Sequence, residues 1–236
     1  ILLLGVGMFI RLHVLESPVF AAAQKQTSEP QGMPVMEVLR RHPRNVVLSM
    51  GARFAENAFF YVITIFVLTY ATKQAGFTQE QVLQAVLIGS AVQFGAIPLF
   101  GIWSDKIGRR PVYLAGAVLV VVFAFPFFWL VDQKTMPALV AAVTLGLIIH
   151  SAMYGPQAAF FSELFGTRVR YSGASLGYQL ASPLAGGLAP LIATALLART
   201  EGKPWSVALY LIAMAAITII AVWKTEETNR KSLEES

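Results

Sequence analysis

Four polar side chains lie close together in the first long apolar stretch of this sequence. Glu56, Asn57 and Tyr61 follow Arg53 at spacings of three, four and eight residues, which places all four on one face of a helix. If the helix crosses a membrane, such groups are costly and usually face a polar cavity or pair with each other. We therefore expect a functional site, in which Arg53 holds a solute carboxylate and Glu56 binds and releases a proton. The alternative is that Arg53 and Glu56 only neutralise each other near the end of the helix.

Further polar residues recur at helical spacing in the later apolar stretches. They are Gln93, His150, Tyr154, Gln157, Tyr178 and Gln179. Such groups can line a cavity and donate hydrogen bonds to hydroxyl or carboxyl oxygens of a solute. The alternative role for each is a hydrogen bond that joins two helices. His150 is a second candidate for the group that carries the proton.

A short turn between two apolar stretches carries the most specific signal. It is Gly101-Ile-Trp-Ser-Asp105-Lys106-Ile-Gly108-Arg109-Arg110. A helix has to end and turn back within a few residues here; Gly108 permits the turn, and Asp105 can bond to a helix amino terminus or pair with Arg. The run resembles the loop signature of the major facilitator superfamily, which has Gly, three residues, Asp, a basic residue, any residue, Gly, Arg, and Arg or Lys. The turn is therefore predicted to act as a latch.

A second run narrows the resemblance. Residues 160–179 are Phe-Phe-Ser-Glu-Leu-Phe-Gly-Thr-Arg-Val-Arg-Tyr-Ser-Gly-Ala-Ser-Leu-Gly-Tyr-Gln. They are similar to the metabolite:proton symporter family of that superfamily, which includes carriers of shikimate, dicarboxylates, citrate and osmolytes. The pattern Arg-x-x-Glu-Asn with a following Tyr, from position 53, also resembles this family. The resemblance implies that Glu163 and Arg168 join Asp105 and Arg109 in a charge network that closes the cytoplasmic side.

Other kinds of chemistry find little support. The run Gly173-Ala-Ser-Leu-Gly177 matches the nucleophile pattern Gly-x-Ser-x-Gly, but that pattern works on a strand-to-helix turn with an acid and a His nearby. Here it begins an apolar helix, in which glycines serve close packing. The sequence has no cysteine, no His-Glu-x-x-His, no phosphate-binding glycine loop and no plausible metal cluster. We therefore predict no enzyme activity, no cofactor and no ATP hydrolysis within this chain.

The composition is that of a membrane protein. Of the 236 residues, 56% are hydrophobic and only 13% are charged, and the mean hydropathy is +0.62, outside the range of soluble domains. Six apolar runs are each long enough to cross a bilayer. They are Val46–Ala71, Val82–Trp103, Val112–Val131, Ala138–Phe161, Ser172–Leu197 and Trp205–Trp223. An all-α, multi-pass bundle of six transmembrane helices is predicted, and the resemblance implies a 3+3 inverted repeat that forms one half of a twelve-helix fold.

The basic residues predict the orientation. Of the 18 Lys and Arg, thirteen fall at one side of the predicted membrane and four at the other. The four are Lys73, Lys134, Arg199 and Lys203. Because cytoplasmic loops carry an excess of Lys and Arg, the first side is predicted to be cytoplasmic, and the carboxy terminus with it. The net charge of +5 therefore indicates membrane topology rather than a nucleic-acid partner.

These observations predict four parts of the chain and a function. Residues 1–12 are expected to be the end of a truncated transmembrane helix, 13–45 a cytoplasmic central loop, 46–223 a six-helix transporter domain and 224–236 a cytoplasmic tail. The resemblance implies proton-coupled symport, by alternating access, of a small polar metabolite in the bacterial inner membrane. The positive charge at Arg53 favours an organic anion, and the resemblance implies one such as shikimate, an aromatic acid or a dicarboxylate.

The expected partners are the metabolite, a proton, the lipid bilayer and a missing amino-terminal half of the same transporter. Two alternatives remain. The chain is a standalone half-size membrane unit for binding or assembly, or the transporter is a facilitator without proton coupling.

Overall fold

The computed structural model describes residues 5–9, 34–165 and 169–228, which are helical apart from short connections. A short helix α1 (Pro34–Arg41) precedes six helices that are long and apolar enough to cross a membrane. These six are α2 (Pro43–Lys73), α3 (Gln79–Ile107), α4 (Arg109–Val131), α5 (Met136–Glu163), α6 (Arg170–Arg199) and α7 (Trp205–Trp223). The predicted bundle of six spans is confirmed, and the helices extend up to four residues beyond the predicted apolar runs.

Local sequence explains where the spans begin. Pro43 lies in the first turn of α2, where its missing N–H is not needed. Thr78 and Gln81 form a capping box at the start of α3, each side chain bonding to the backbone N–H of the other. Gly108 separates α3 from α4 with φ +121°, a value that favours glycine. The tight turn predicted from the sequence is therefore present.

Residues 34–41 form a helix within the segment that was expected to be a loop. The side chain of Val38 is fully buried and packs with Phe165 and Val169. Glu37 pairs with Arg41 across one helical turn at 3.3 Å. The sequence analysis grouped these eight residues with the polar segment that surrounds them, and so missed this short helix.

The connections alternate between two ends of the bundle. At the basic end, the turn at residues 105–110 meets the start of α2, the end of α5 and residues 224–228, since Arg44 bonds to the carbonyl of Lys224 and Arg109 contacts Glu163. At the far end, the α2–α3 and α6–α7 connections meet, because Gly202 lies against Gln74. The alternation is the one that the distribution of Lys and Arg predicts.

The helices form two triplets of opposite orientation. α2 begins at the basic end whereas α5, the first helix of the second triplet, begins at the far end. Packing follows the same relation: α3 packs on α5 as α6 packs on α2, and α4 packs on α5 as α7 packs on α2. Burial follows it too. In the most apolar stretch of each helix, 61% of residues are buried in α2 and 56% in α5, but 17% in α3 and 33% in α6. The fold is therefore the predicted 3+3 inverted repeat, with α2 and α5 at its centre.

Candidate functional site

Three nitrogen-bearing side chains converge on the carboxylate of Glu56 in α2. Its Oε1 lies 3.0 Å from Nε2 of His150, and its Oε2 accepts a hydrogen bond of 3.1 Å from Nε2 of Gln157. Nη2 of Arg53 lies 3.4 Å from Oε2. Two of these side chains come from α5, so the central helices of the two triplets share one charged site.

Arg53 and Asn57 lie beside Glu56 with unused hydrogen-bonding capacity. Nη2 of Arg53 donates to Oδ1 of Asn57 at 3.0 Å, and the guanidinium carbon lies 3.8 Å from the centroid of the Tyr178 ring, within cation–π distance. Nε and Nη1 of Arg53 and Nδ2 of Asn57 are buried without a hydrogen-bond partner. Buried polar groups normally have partners. Three free donors therefore mark a place that is short of acceptors.

His150 is fixed by two rings and one amide. Its ring centroid lies 5.0 Å from that of Phe60 and 5.4 Å from that of Tyr154. Its Nδ1 lies 2.8 Å from Nε2 of Gln93, and the same nitrogen of Gln93 donates to the carbonyl of Leu147 at 3.3 Å. α3 thus contacts the charged site through Gln93.

Hydrogen bonds around Gln157 join further helices to the site. Nε2 of Gln157 also donates to the hydroxyl of Tyr113 at 3.1 Å, and Tyr178 donates to Oε1 of Gln157 at 2.8 Å. Tyr113 donates in turn to the carbonyl of Ala52 at 3.1 Å. α2, α4, α5 and α6 therefore meet in one network. Tyr113 was not among the predicted site residues, although a tyrosine inside an apolar run needs a partner for its hydroxyl.

A hydroxyl from α7 forms hydrogen bonds with the backbone of α2 next to Arg53. Oγ1 of Thr218 accepts from the N–H of Ala55 at 2.9 Å and lies 2.9 Å from the carbonyl of Gly51, to which it donates. The hydroxyl is thus inserted between groups that bond to each other in a regular helix. Thr218 is a further residue that sequence analysis missed.

Gly186 allows α6 to approach α2 closely. It lies in a π-helical turn, Ser182–Gly187, which also contains Pro183. A Cβ at Gly186 would lie 2.8 Å from the Tyr61 ring and 3.3 Å from Oδ1 of Asn57. A side chain at this position would therefore displace Asn57 or Tyr61. Irregular turns of this kind are frequent at functional sites.

The charged groups lie inside the bundle. The six helices alone leave Arg53 6%, Glu56 3% and His150 2% exposed, whereas Tyr154 is 44% exposed. Tyr154 covers one side of His150, and Tyr178 covers Arg53. The expected cavity-lining residues are therefore brought together, but behind tyrosine rings.

Two of the predicted site residues stand apart from this network. The ring of Tyr61 contacts that of Phe60 edge to face, with centroids 5.8 Å apart. Gln179 is exposed and lines a shallow surface pocket with Val35 and Tyr171. Neither is in contact with Glu56.

A second charged network lies at the basic end, around Arg109. Its Nη1 forms an ion pair with Asp105 and donates to Oγ of Ser104 at 2.8 Å, while its Nη2 lies 3.4 Å from Oε1 of Glu163. The contacts implied by the resemblance among Asp105, Arg109 and Glu163 are thus present in the structure. Arg168 lies outside the described residues.

The carboxylate of Glu227, just beyond α7, caps the amino terminus of α4. Oε1 accepts from the N–H of Arg109 at 2.9 Å and Oε2 from the N–H of Arg110 at 3.1 Å. An anion here satisfies free N–H groups and the helix dipole. A Cβ at Gly108 would lie 2.6 Å from Oε2, so a side chain here would displace the capping carboxylate, and the φ of +121° favours glycine in addition. An acid that follows the last span gives no sequence signal for this role.

Neighbouring contacts tie the turn to other elements. Nη2 of Arg110 donates to the carbonyl of Trp223 at 2.6 Å, and the hydroxyl of Thr228 donates to Glu163. Gly101 lies where α3 and α5 cross, because a Cβ at Gly155 would be 2.9 Å from its nitrogen. The predicted gating residues thus contact α5, the end of α7 and the segment that follows.

Comparison with known proteins decides the family. Residues 17–236 match the family described as "Sugar (and other) transporter". The chain belongs to this family, within the major facilitator superfamily. Members are transporters and not enzymes, and Ser175 of the Gly-x-Ser-x-Gly run lies in helix α6.

Relatives of this transporter family match the chain almost throughout. It is 34% identical over 232 residues to the shikimate transporter of Escherichia coli (strain K12), covering 98% of this chain and 53% of that protein. It is 35% identical over 237 residues to an inner membrane metabolite transport protein of the same strain (97% and 52% covered). It is 27% identical over 237 residues to an ectoine/proline transporter of Corynebacterium glutamicum (97% and 47%). The chain spans about half the length of the curated relatives it matches.

The family membership confirms the resemblance seen in the sequence. With six apolar helices and these bacterial relatives, the chain is a multi-pass inner membrane protein. Within the described residues, no group of three or more His, Asp or Glu is arranged to hold a metal ion.

Proposed function

We propose that this chain forms the carboxy-terminal half of a transporter that carries a small organic anion together with a proton. One observation supports this most directly. Arg53 and His150 both contact the carboxylate of Glu56 inside an apolar bundle, and N–H donors without partners lie next to them on Arg53 and Asn57. An ion pair with a purely structural role has no need of a third partner such as the imidazole of His150.

The contact between Arg53 and Glu56 suggests how proton and anion are coupled. In the structure the guanidinium is balanced by the carboxylate at 3.4 Å. When the Glu56–His150 pair takes up a proton, this balance is lost and a buried positive charge remains, which is costly at membrane depth. An anion bound at Arg53 restores neutrality. Proton and anion therefore favour each other's binding, as symport requires.

The free donors favour a substrate rich in oxygen acceptors. Nε and Nη1 of Arg53 and Nδ2 of Asn57 all need acceptors, and a carboxylate with neighbouring hydroxyls supplies them. The similarity to a shikimate transporter supports a hydroxylated or aromatic carboxylic acid as the first probe. A dicarboxylate fits the same chemistry. Access requires Tyr178 to move from the face of Arg53.

The network at the basic end is proposed to be the latch that holds one side closed. The contacts of the latch join α3, α4 and α5, which carry Asp105, Arg109 and Glu163 in that order. These contacts therefore break when the helix ends separate. Such contacts at helix ends can shift between two arrangements, as alternating access demands. The excess of Lys and Arg at this end supports a cytoplasmic location, with the carboxy terminus on the same side.

The other half of the transporter is proposed to cover α3 and α6. These helices are the least buried of the six spans, and they carry Gln93 and Tyr178, which connect to the charged site. Reading the coding sequence upstream of Ile1 tests this. A continuous frame with about six more apolar spans supports the proposal, whereas a start codon immediately before Ile1 supports a standalone half-size unit.

The transport proposal is tested with the transporter, amino-terminal half included, in sealed vesicles. Addition of shikimate or another acid from a panel should raise the external pH as substrate and proton enter together. Glu56→Gln should abolish accumulation driven by a proton gradient but retain exchange of substrate across the membrane. Glu80→Gln is the matched control, since Glu80 lies exposed at the start of α3. Undiminished proton-driven accumulation by Glu56→Gln would refute the proposal.

An uncoupled facilitator is the remaining alternative. It predicts that a protonophore leaves the final internal substrate concentration unchanged. The buried His150–Glu56 contact argues against it, because facilitated diffusion needs no group that titrates.

A further inference from the structure

The position of Gln93 determines which nitrogen of His150 carries the proton. One amide nitrogen of Gln93 contacts both the carbonyl of Leu147, at 3.3 Å, and Nδ1 of His150, at 2.8 Å. A carbonyl only accepts, so the group that faces Leu147 must be the N–H₂ of the amide and not its oxygen. Its second hydrogen then points at Nδ1, which accepts. The neutral ring therefore carries its hydrogen on Nε2 and donates it to Oε1 of Glu56.

The imidazole ring of His150 cannot easily turn over to exchange the positions of its two nitrogens. His150 is 2% exposed and lies between the rings of Phe60 and Tyr154, with centroids 5.0 and 5.4 Å away. Rotation of the imidazole by half a turn would have to pass through both neighbours. When the protonation of His150 changes, the amide of Gln93 therefore turns over and the imidazole ring does not.

Oε2 of Glu56 already faces two donors, Gln157 and Arg53, so an added proton goes to the side of the pair that faces His150. Two forms are possible there, and both place hydrogen on Nδ1. If the imidazole is charged, both nitrogens carry hydrogen and Glu56 remains a carboxylate. If Glu56 carries the proton and donates it to Nε2, the neutral ring has its hydrogen on Nδ1. In both forms Nδ1 becomes a donor. The N–H₂ of Gln93 can no longer face it.

We propose that Gln93 is the positioning residue that fixes the tautomer of His150, and that its amide turns over when the pair takes up a proton. This rests on the proposed function. After the turn, Oε1 of Gln93 accepts from Nδ1, and the hydrogen bond to Leu147 is lost because two oxygens then face each other. Of the two hydrogen bonds that join Gln93 to α5, the one to the carbonyl of Leu147 therefore exists only in the proton-free state. Proton uptake by the His150–Glu56 pair therefore changes the hydrogen bonds of α3, the least buried span.

Other ionisable groups near the pair do not replace this role. Glu56 and Arg53 face His150 from α2, Tyr113 lies behind Gln157 on α4, and Tyr178 covers Arg53 from α6. Tyr154, on the same helix as His150, stacks on the imidazole. From α3, the contact recorded in the described residues is the uncharged amide of Gln93. No other group in this set contacts Nδ1.

Nitrogen NMR tests the tautomer directly. The chain has three histidines, so His13→Gln and His42→Gln in the full transporter leave His150 as the only one in this half, and any in the other half are likewise replaced. With ¹⁵N-labelled histidine in lipid nanodiscs, the neutral ring should show hydrogen on Nε2 and a bare Nδ1. Gln93→Met, similar in size but without N–H, should lose this preference, whereas Gln84→Met, at an exposed position of the same helix, should keep it.

Transport supplies a readout that a packing defect would not reproduce. Gln93→Met should lower proton-driven accumulation about fivefold to tenfold, since the net contribution of one hydrogen bond corresponds to that change in an equilibrium constant. Exchange, which moves no net proton, should fall by a smaller factor than accumulation in Gln93→Met, and Gln84→Met, at an exposed position of the same helix, should leave both at the values of the parent. Equal losses in both assays would overturn the inference.

Failure of the inference and of the proposed function can be told apart. A neutral His150 with hydrogen on Nδ1, in a transporter whose accumulation still depends on Glu56, overturns the role of Gln93 alone. Undiminished proton-driven accumulation by Glu56→Gln overturns the proposed function and the inference with it. Hydrogen on Nε2 in the parent, lost in Gln93→Met together with accumulation, supports both.

Discussion

Two groups of charged side chains, one inside the bundle and one at its basic end, each pair an arginine with a carboxylate, but in different surroundings. Inside, the Arg53 and Glu56 side chains are 8% and 4% exposed. At the basic end, the Arg109 side chain is 13% exposed but its partner Asp105 is 59% exposed. Water can therefore compensate Asp105 when its pair breaks, whereas Glu56 has only the protein.

Because their surroundings differ, the two charged groups are suited to different roles. A buried charge that loses its partner must find another or change protonation, so the inner group responds to protons and anions. An exposed pair contributes little energy by itself. Its role is to form a contact between helix ends that is present in one arrangement of the helices and absent in the other. We therefore expect large effects of substitution at the inner group and graded ones at the basic end.

Removal of Arg53 should have the largest effect. Arg53→Met leaves Glu56 buried without its cation, and loss of one partner of a buried pair costs about 3 to 5 kcal/mol. The double variant with Glu56→Gln should recover a large part of this loss, because no unpaired charge then remains. Thermal unfolding of the transporter in detergent measures both.

Arg41→Met is the matched control for Arg53→Met. The Arg41 side chain is 70% exposed in its pair with Glu37, and such a pair contributes at most about 1 kcal/mol. If the control destabilised as much as Arg53→Met, or if the double variant recovered nothing, burial would not be what distinguishes the inner group.

Gly108→Ala should have the next largest effect, about 2 to 3 kcal/mol of stability, through backbone strain and a lost cap. The new Cβ would meet the Glu227 carboxylate at 2.6 Å, so the carboxylate has to leave the N–H groups of α4. Gly76→Ala is the matched control. Gly76 also has positive φ, +79°, but open space around its Cβ position. The difference between the two in thermal unfolding isolates the cap; equal losses would show that backbone strain alone matters.

Sequence reasoning located the elements and most of the inner site. The apolar runs predict all six spans, because the length of a span is set by the bilayer. Helical spacing predicts that Arg53, Glu56 and Asn57 share a face, and His150 and Gln157 lie on a second helix that meets it. Which atoms touch was not predictable, since that depends on how α2 and α5 cross.

The sequence analysis missed residues whose partners are far away in the sequence and whose residue types are too common to be recognised. Glu227 caps a helix that begins 118 residues earlier, and Thr218 inserts into α2 from α7. Neither has a local pattern. Gln93 was singled out as a site residue, but its position against both Leu147 and His150 required the structure. Gln179 satisfies the same spacing rules yet is exposed, and Tyr61 lies beside Asn57 at Gly186 without joining the hydrogen bonds around Glu56, because a polar stripe does not say which neighbour it meets.

Glu227→Gln should have a smaller effect, about 1 kcal/mol, since the amide retains one acceptor for the amino terminus of α4 but loses the charge that favours the helix dipole. Because the chain has no cysteine, single cysteines can be introduced at the ends of α3 and α5. Their labelling from the basic end should become faster in this variant as the latch loosens. Unchanged labelling with a lowered unfolding temperature would show that the cap stabilises α4 without restraining the latch.

Asp105→Asn should have the smallest effect on stability and thereby tests the comparison most sharply. Its side chain is 59% exposed, so the free energy of unfolding should change by less than about 1 kcal/mol. Exchange of substrate should nevertheless depend on salt in the parent and much less in the variant, because dissolved ions screen an exposed pair over about 10 Å at 0.1 M. Measuring exchange at low and high ionic strength decides this. If Asp105→Asn instead destabilised the protein as much as Arg53→Met, exposure would not separate the two charged groups, and the basic end would have to be regarded as part of the same buried electrostatic core.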